Sequence, residues 1–218
     1  MKRIRIYIVK KTKSLAFLLV VLGASLYSEF VFSQHIPSGQ QTQSVISGTP
    51  FLQNWSLEQY GDAHSQNWDV VQDNRGLMYF GNGFGVLEYD GVNWRLLKFP
   101  NGSMCNSLAI DEKGRIFVGA ENEFGYLLPN SSGDLKYVSL MKYLPEQCTD
   151  FADVWETLVT ADGIYFFSSR YIFRWDPHAK VESPENMQVI LPETSLKSAF
   201  LVNDKVYIKQ SESGLMEL

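Results

Sequence analysis

Laid over itself, the chain repeats. From Trp68, four short apolar runs separated by turns, "WDVVQ", "LMYFG", "VLEY" and "NWRLLKF", are followed by the same order in "SLAI", "RIFVG", "YLL" and "LKYVSL". A third unit gives "VWETLV", "IYFFS", "IFRW" and "MQVIL", and a fourth gives "AFLV", "KVYIK" and "LMEL". With the second run as ruler, Met78, Ile116, Ile164 and Val206 correspond, in steps of 38, 48 and 42 residues. A period near forty with four strands per unit is the signature of β-propeller blades. Runs such as "LMYF" and "IYFF" are apolar at successive positions, as strands covered on both faces require. With 45% apolar and 14% aromatic residues and no long run of helical period, the chain has the composition to fill such wedges. The expected fold is all-β: an incomplete propeller of about three and a half four-stranded blades, near residues 66–100, 105–145, 151–192 and 198–218, the last one short.

The turns agree with this. Asp73, Asp111 and Asp162, with Gly76, Gly114 and Gly163, offer a carboxylate to cap amides and a glycine that tolerates positive φ. Asp90-Gly91 is a hairpin signal. Calcium ligation by these acids lacks the alternating acids and distal Glu of a calcium loop, so no metal site is expected.

Residues 1–33 are a different object. Six basic residues, Lys2 to Lys13, precede the apolar run Leu15 to Leu26 and the small-residue exit at Ser33. This reads as a secretory signal peptide, with a retained membrane anchor over Leu15 to Phe32 as the alternative. Residues 34–50, rich in Gln, Ser and Gly, form a flexible lead-in to a folded part over 51–218. Without the leader, 13 basic residues face 23 acidic ones. An exported acidic domain is an unsuitable partner for nucleic acid.

Export permits Cys105 and Cys148 to form a disulfide, both lying ahead of predicted strands; the alternative is two unrelated thiols. The segment "FLQNWSLEQY", Phe51 to Tyr60, either supplies the outer strand of the last blade and closes the ring or caps blade one.

In a propeller the residues leading into the inner strands converge on one rim around the channel. Here these are Gln66, Asn67 and Trp68, then Asn106 and Ser107, then Asp153 and Trp155. Polar groups beside an indole suit a sugar, whose hydroxyls need donors and acceptors and whose C–H faces stack on rings. The competing reading is that the polar residues cap loops and the indoles pack between blades. No catalytic residues are assigned: His35, His64 and His178 are scattered, no nucleophile–base grouping emerges, and Glu121 and Glu123 read as solvated acids in an exposed loop. No cofactor is expected.

The stretch "QNWDVVQDNRGLMYFGNGFGVLEYDGVNW", followed by "SLAIDEKGRIFVGAENEFGYL", resembles the N-terminal blades of the two-component regulator propeller proteins. These are the periplasmic sensor regions of hybrid histidine kinases and LuxR-type transmembrane regulators of Bacteroidetes. The resemblance spans roughly residues 51–218 and is densest from Gln66 to Tyr126. It implies a seven-bladed parent ring, with a β-sandwich, a transmembrane helix and a kinase or DNA-binding output beyond this chain, which then reads as a fragment. It also implies dimerisation through a second copy, a periplasmic location, and a carbohydrate or its breakdown product as ligand. Contact with the membrane is expected only through the leader or that transmembrane helix. A protein-docking propeller and, behind it, a propeller lyase or glycosidase are the alternatives.

Overall fold

Strand follows strand without an intervening α-helix in the computed structural model, which describes residues 52–131 and 133–218. The expected leader and lead-in lie outside the described residues. The first sheet contains β1 (Asn67–Gln72), β2 (Met78–Asn82), β3 (Gly85–Tyr89) and β4 (Trp94–Leu97). The second contains β5 (Cys105–Ile110), β6 (Ile116–Ala120), β7 (Glu123–Pro129) and β8 (Leu135–Ser139). The third contains β9 (Val154–Thr160), β10 (Gly163–Ser168), β11 (Ile172–Trp175) and β12 (Met187–Ile190), and the fourth β13 (Leu196–Val202), β14 (Lys205–Gln210) and β15 (Gly214–Glu217). Within every sheet each strand pairs antiparallel with the next in sequence. The first strands also neighbour one another, β1 against β5, β5 against β9 and β9 against β13. They therefore surround a common hub, and the chain is an incomplete β-propeller with three four-stranded blades and a fourth of three strands.

Local chemistry sets each hairpin. In the β1–β2 turn, Asp73 Oδ1 accepts the amides of Arg75 (2.9 Å) and Leu77 (3.0 Å). The β5–β6 turn repeats this at Asp111, which accepts from Lys113 (2.9 Å) and Arg115 (2.8 Å). Burial alone pushes the Asp73 carboxyl up, but hydrogen bonds from Arg75 and the two amides outweigh it and hold the group below the ordinary aspartate value. Asp162 is not their counterpart, contrary to the sequence alignment. Only Ala161 and Asp162 separate β9 from β10, and Asp162 instead accepts the Tyr165 hydroxyl at 2.8 Å. The fourth blade turns through Asn203 and Asp204, at φ 50° and 61°, the left-handed pair that a two-residue hairpin of matching twist needs.

Three apolar seams join the blades. Tyr79, Val86, Phe99, Leu108, Ile116 and Val118 fill the first, between blades one and two. Phe117, Phe124, Phe151, Phe166, Phe173 and Trp175 fill the second. Tyr165, Phe167, Ile172, Leu196 and Ile208 fill the third. β6 shows why the runs are apolar throughout: Ile116 and Val118 face one neighbour, Phe117 the other, and all five of its residues are buried. Each such phenylalanine is worth about 1.5–3 kcal/mol of burial.

Two alternatives that the sequence leaves open bear on the seams. Cys105 and Cys148 are both free: Cys105 belongs to the first seam and Cys148 to the second, on opposite faces of blade two, so no disulfide forms. Among the described residues, the Phe51–Tyr60 segment joins no sheet. Its described part contains a 3₁₀ turn, Leu57–Tyr60, and Trp55 packs edge-on against Tyr89 (5.4 Å) and Trp94 (5.5 Å), with Tyr60 5.1 Å from Trp94. It caps blade one.

Gly81 and Gly119 hold equivalent places on β2 and β6, and each lets the following inner strand approach. A β-carbon at Gly119 would overlap the Ser107 and Thr157 hydroxyls and a Val154 methyl; one at Gly81 would press on Cys105. Gly119→Ala should therefore lower the urea midpoint, by about 1–3 kcal/mol of overpacking, with an unchanged denaturant slope. An unaltered midpoint would mean that the hub is looser than this packing requires.

Candidate functional site at the inner-strand rim

Every inner strand begins with a one-residue bulge. Asn67 and Asp69 face the consecutive pair Asn82 and Gly81, leaving Trp68 unpaired. Cys105 and Ser107 face Ala120 and Gly119, leaving Asn106. Val154 and Glu156 face Ser168 and Phe167, leaving Trp155. Leu196 and Ser198 face Gln210 and Lys209, leaving Lys197. A bulge releases one residue from the ladder and re-aims its side chain. Four blades therefore offer four such side chains at one rim: Trp68, Asn106, Trp155 and Lys197.

The residue after each bulge has a different task. Asp69 Oδ2 accepts the Leu108 amide of the next blade at 2.7 Å, and its Oδ1 accepts its neighbour Val70 at 2.7 Å. Ser107 is buried, 2.7 Å from the Thr157 hydroxyl, and donates to the Val154 carbonyl at 3.3 Å. These are clasps between blades, so Ser107 is committed to structure. Glu156 occupies the same position in blade three. Burial first, and then the Asp69 carboxylate, push its carboxyl above the ordinary glutamate value.

Of the other residues expected at the rim, Gln66 and Asn67 are exposed. The Gln66 carbonyl accepts the Gly83 amide (3.1 Å) and Asn67 Oδ1 accepts the buried Asn82 side chain (2.8 Å). Asn106 donates to Asp153 Oδ1 across blades two and three at 3.2 Å. Trp155 turns into the third seam, 6.2 Å from Phe167, whereas Trp68 remains 52% exposed. The two indoles thus divide between the alternatives: Trp155 packs, and Trp68 offers an open face. An exposed indole and an Asn–Asp pair on one rim supply a stacking surface with donors and acceptors for hydroxyl groups. On the same rim, Ser169, Arg170, Tyr171, Glu193 and Thr194 border an open depression of about 490 Å³.

Asp69, Glu156 and Lys197 were not singled out from the sequence, although each stands in phase with a residue that was. Glu123 departs from expectation: it is a buried residue at the head of β7. Its Oε1 accepts the Ser139 hydroxyl (2.7 Å), the Tyr137 hydroxyl (3.0 Å) and the Phe124 amide (3.0 Å), while Glu121 is exposed. His64 accepts the Gln66 amide at Nδ1 and sets its ring edge on Phe84, and His178 is exposed. The described residues contain no cluster of three or more potential metal ligands, and no helix among them is long and apolar enough to cross a membrane.

Comparison with known proteins then bears on this geometry. The extracellular domain of BT4673 from B. thetaiotaomicron, described as a proposed one-component system in one crystal structure and a hybrid two-component system in another, superposes with a TM-score of 0.51 in both. Identity is 20% and 18%, over 72% of this chain and 20% of that one. PorZ, a surface component of the type-IX secretion system of Porphyromonas gingivalis, superposes with a TM-score of 0.55 at 13% identity, over 77% of this chain and 28% of that one. No protein-family model and no curated protein matches the chain. The likeness is one of fold, and the chain spans about a fifth of the BT4673 domain it resembles.

Two outcomes are expected. Because the folded state holds the Glu156 proton more tightly than the unfolded chain does, ionising Glu156 costs stability above its raised value and nothing below the ordinary glutamate value. Glu156→Gln should raise the melting temperature at neutral pH and lose that advantage as pH falls through this window; an equal effect at all pH values would refute the assignment. In the native chain both buried thiols should resist a thiol reagent such as DTNB, and a reductant should leave the melting temperature unchanged.

Proposed function

We propose that this chain is the extracytoplasmic, ligand-sensing propeller region of a transmembrane signalling regulator of the two-component regulator propeller family. On this reading it is exported to the periplasm, binds a carbohydrate or its breakdown product at the inner-strand rim, and acts with a second copy to pass the signal to an output carried elsewhere in the protein. The observation that carries the reading is the repeated bulge, which leaves the Trp68 face open on the same rim as the Asn106–Asp153 pair. Structural likeness to extracellular domains of signalling proteins supports it. The separation of Glu121 from the buried Glu123 weighs against the glycosidase alternative, because the two carboxyls do not share a site.

The test is a thermal-shift screen of the full chain against a panel of oligosaccharides. A true ligand at about 100 times its Kd adds roughly 2.7 kcal/mol, a rise of several degrees. Trp68→Ala should abolish that rise while leaving the unliganded melting temperature near that of the parent, since the indole is half exposed. A flat response across all glycans would overturn sugar sensing in favour of docking to a protein.

A further inference from the structure

The opposite rim, where β1 turns into β2 and β5 into β6, holds a cleft of about 540 Å³ in the first seam. That volume is in the range of small-ligand sites. Two otherwise matching turns, both of which line the cleft, differ at one position. Four residues after the turn aspartate, blade two has Arg115, which pairs with Asp111 (2.8 Å), lies 5.5 Å over Phe117 and reaches the Pro177 carbonyl of blade three. It plugs the second seam. Blade one has Leu77 at that position, a shorter side chain that forms part of the cleft wall.

The walls are chemically divided. Leu77, Ile116, Leu127, Leu128 and Leu135 form apolar surface. Between them stand fixed polar groups. Arg75 donates to Asp73 Oδ2 through both Nε (3.0 Å) and Nη2 (2.7 Å). Arg95 grips both oxygens of the buried Glu88 (2.8 and 3.0 Å) and, outside the cleft, Asp134 (3.0 Å). Tyr79, whose ring is wholly buried in the seam, bonds only at 3.3 Å to both Asp73 and Arg75. Burial, with Glu88 and Asp73 beside it, pushes that phenol up to about 12, so it stays a neutral donor. Every carboxylate on the wall is engaged by a guanidinium. The exposed Lys113 is not: among the described residues its ammonium has no carboxylate or hydrogen-bond partner.

We propose that this cleft is a second binding site, for a small carboxylated polyol such as a sugar acid, independent of the rim site. Ordered carboxylate–guanidinium pairs present alternating acceptors and donors in fixed planes, which vicinal hydroxyls match without displacing either partner. The unmatched Lys113 supplies the counter-charge for one carboxylate. The leucines cover the C–H side of the ring, and a purely apolar ligand would strip water from the polar wall without replacing its hydrogen bonds.

The experiment follows amide resonances of the ¹⁵N-labelled full chain during titration with glucuronate, glucose and acetate. Glucuronate should move Asn74, Lys113, Gly114 and Gly133 and leave Trp68 and Asn106 in place, with glucose weaker and acetate without effect. Lys113→Gln, in an exposed turn, should weaken glucuronate roughly tenfold, the scale of one charge-assisted hydrogen bond, and leave glucose unchanged. Leu128→Trp, at a position 45% exposed on the cleft wall, should abolish both by filling the space. The proposal is overturned if glucuronate moves only rim amides, if it moves none, or if either variant binds glucuronate as the parent does. Rim shifts alone would leave the sensing reading standing, so the two sites fail separately.

Discussion

No sheet in this molecule covers its own faces, and that dependence governs the rest. The second strand of each blade is apolar at successive positions because one face meets the preceding blade and the other the next, as Ile116 and Phe117 do on β6. Such a strand cannot be solvated on either side at a tolerable cost: exposing two or three of its buried side chains removes about 1.5–3 kcal/mol each, comparable with a domain's whole net stability. Cooperation between blades is therefore built into the repeat, and glycines 81 and 119, with the Asp69 and Ser107 clasps, close the hub where the sheets are nearest.

Those clasps explain why the rim has the character it does. Each inner strand must give its hub-facing residue to the neighbouring blade, yet a strand in strict alternation has only two faces to offer. The bulge resolves the conflict by inserting one residue that owes nothing to the ladder. Trp68 and Asn106 are released from the ladder while Asp69 and Ser107, one place later, hold the blades together. Released positions and positions that bear load alternate along the same strand, so the rim side chains project from backbone fixed by two blades at once.

The sequence made the blades legible because the repeat is written in apolar runs and Asp–Gly turns, both of which depend on local physics. Strand bounds fell within a few residues throughout, except that β7 begins at Glu123, inside what reads as a polar loop. There a carboxylate is buried by three donors that arrive from Phe124, Tyr137 and Ser139, and the two hydroxyls lie 14 and 16 residues away, beyond any local signal. The bulges were hidden for a related reason. One extra residue in a strand leaves no mark in composition and appears only when its pairing partner is known, so Trp68 and Asn106 were found through position along the chain while Asp69, Glu156 and Lys197 were passed over. The cysteines stay ambiguous for another reason: a place shortly ahead of a strand says nothing about which face of blade two each thiol meets.

The two rims differ because the turns at one end of a blade obey a demand that those at the other do not. At the inner-strand rim, blades one and four tie the end of the second strand to the segment that leads into the inner strand, through the buried Asn82 and Gln210, while the buried Ser168 of blade three closes its own turn onto Tyr171. At the opposite rim the hairpin turns need only close on themselves, which an aspartate accepting two amides achieves without help from a neighbour. What stands four residues after that aspartate differs between the two turns. Arginine at 115 spans the second seam to Pro177; leucine at 77 does not span the first. The cleft at this rim thus lies among turns that close on themselves, while the depression at the inner-strand rim lies beside residues tied to neighbouring strands.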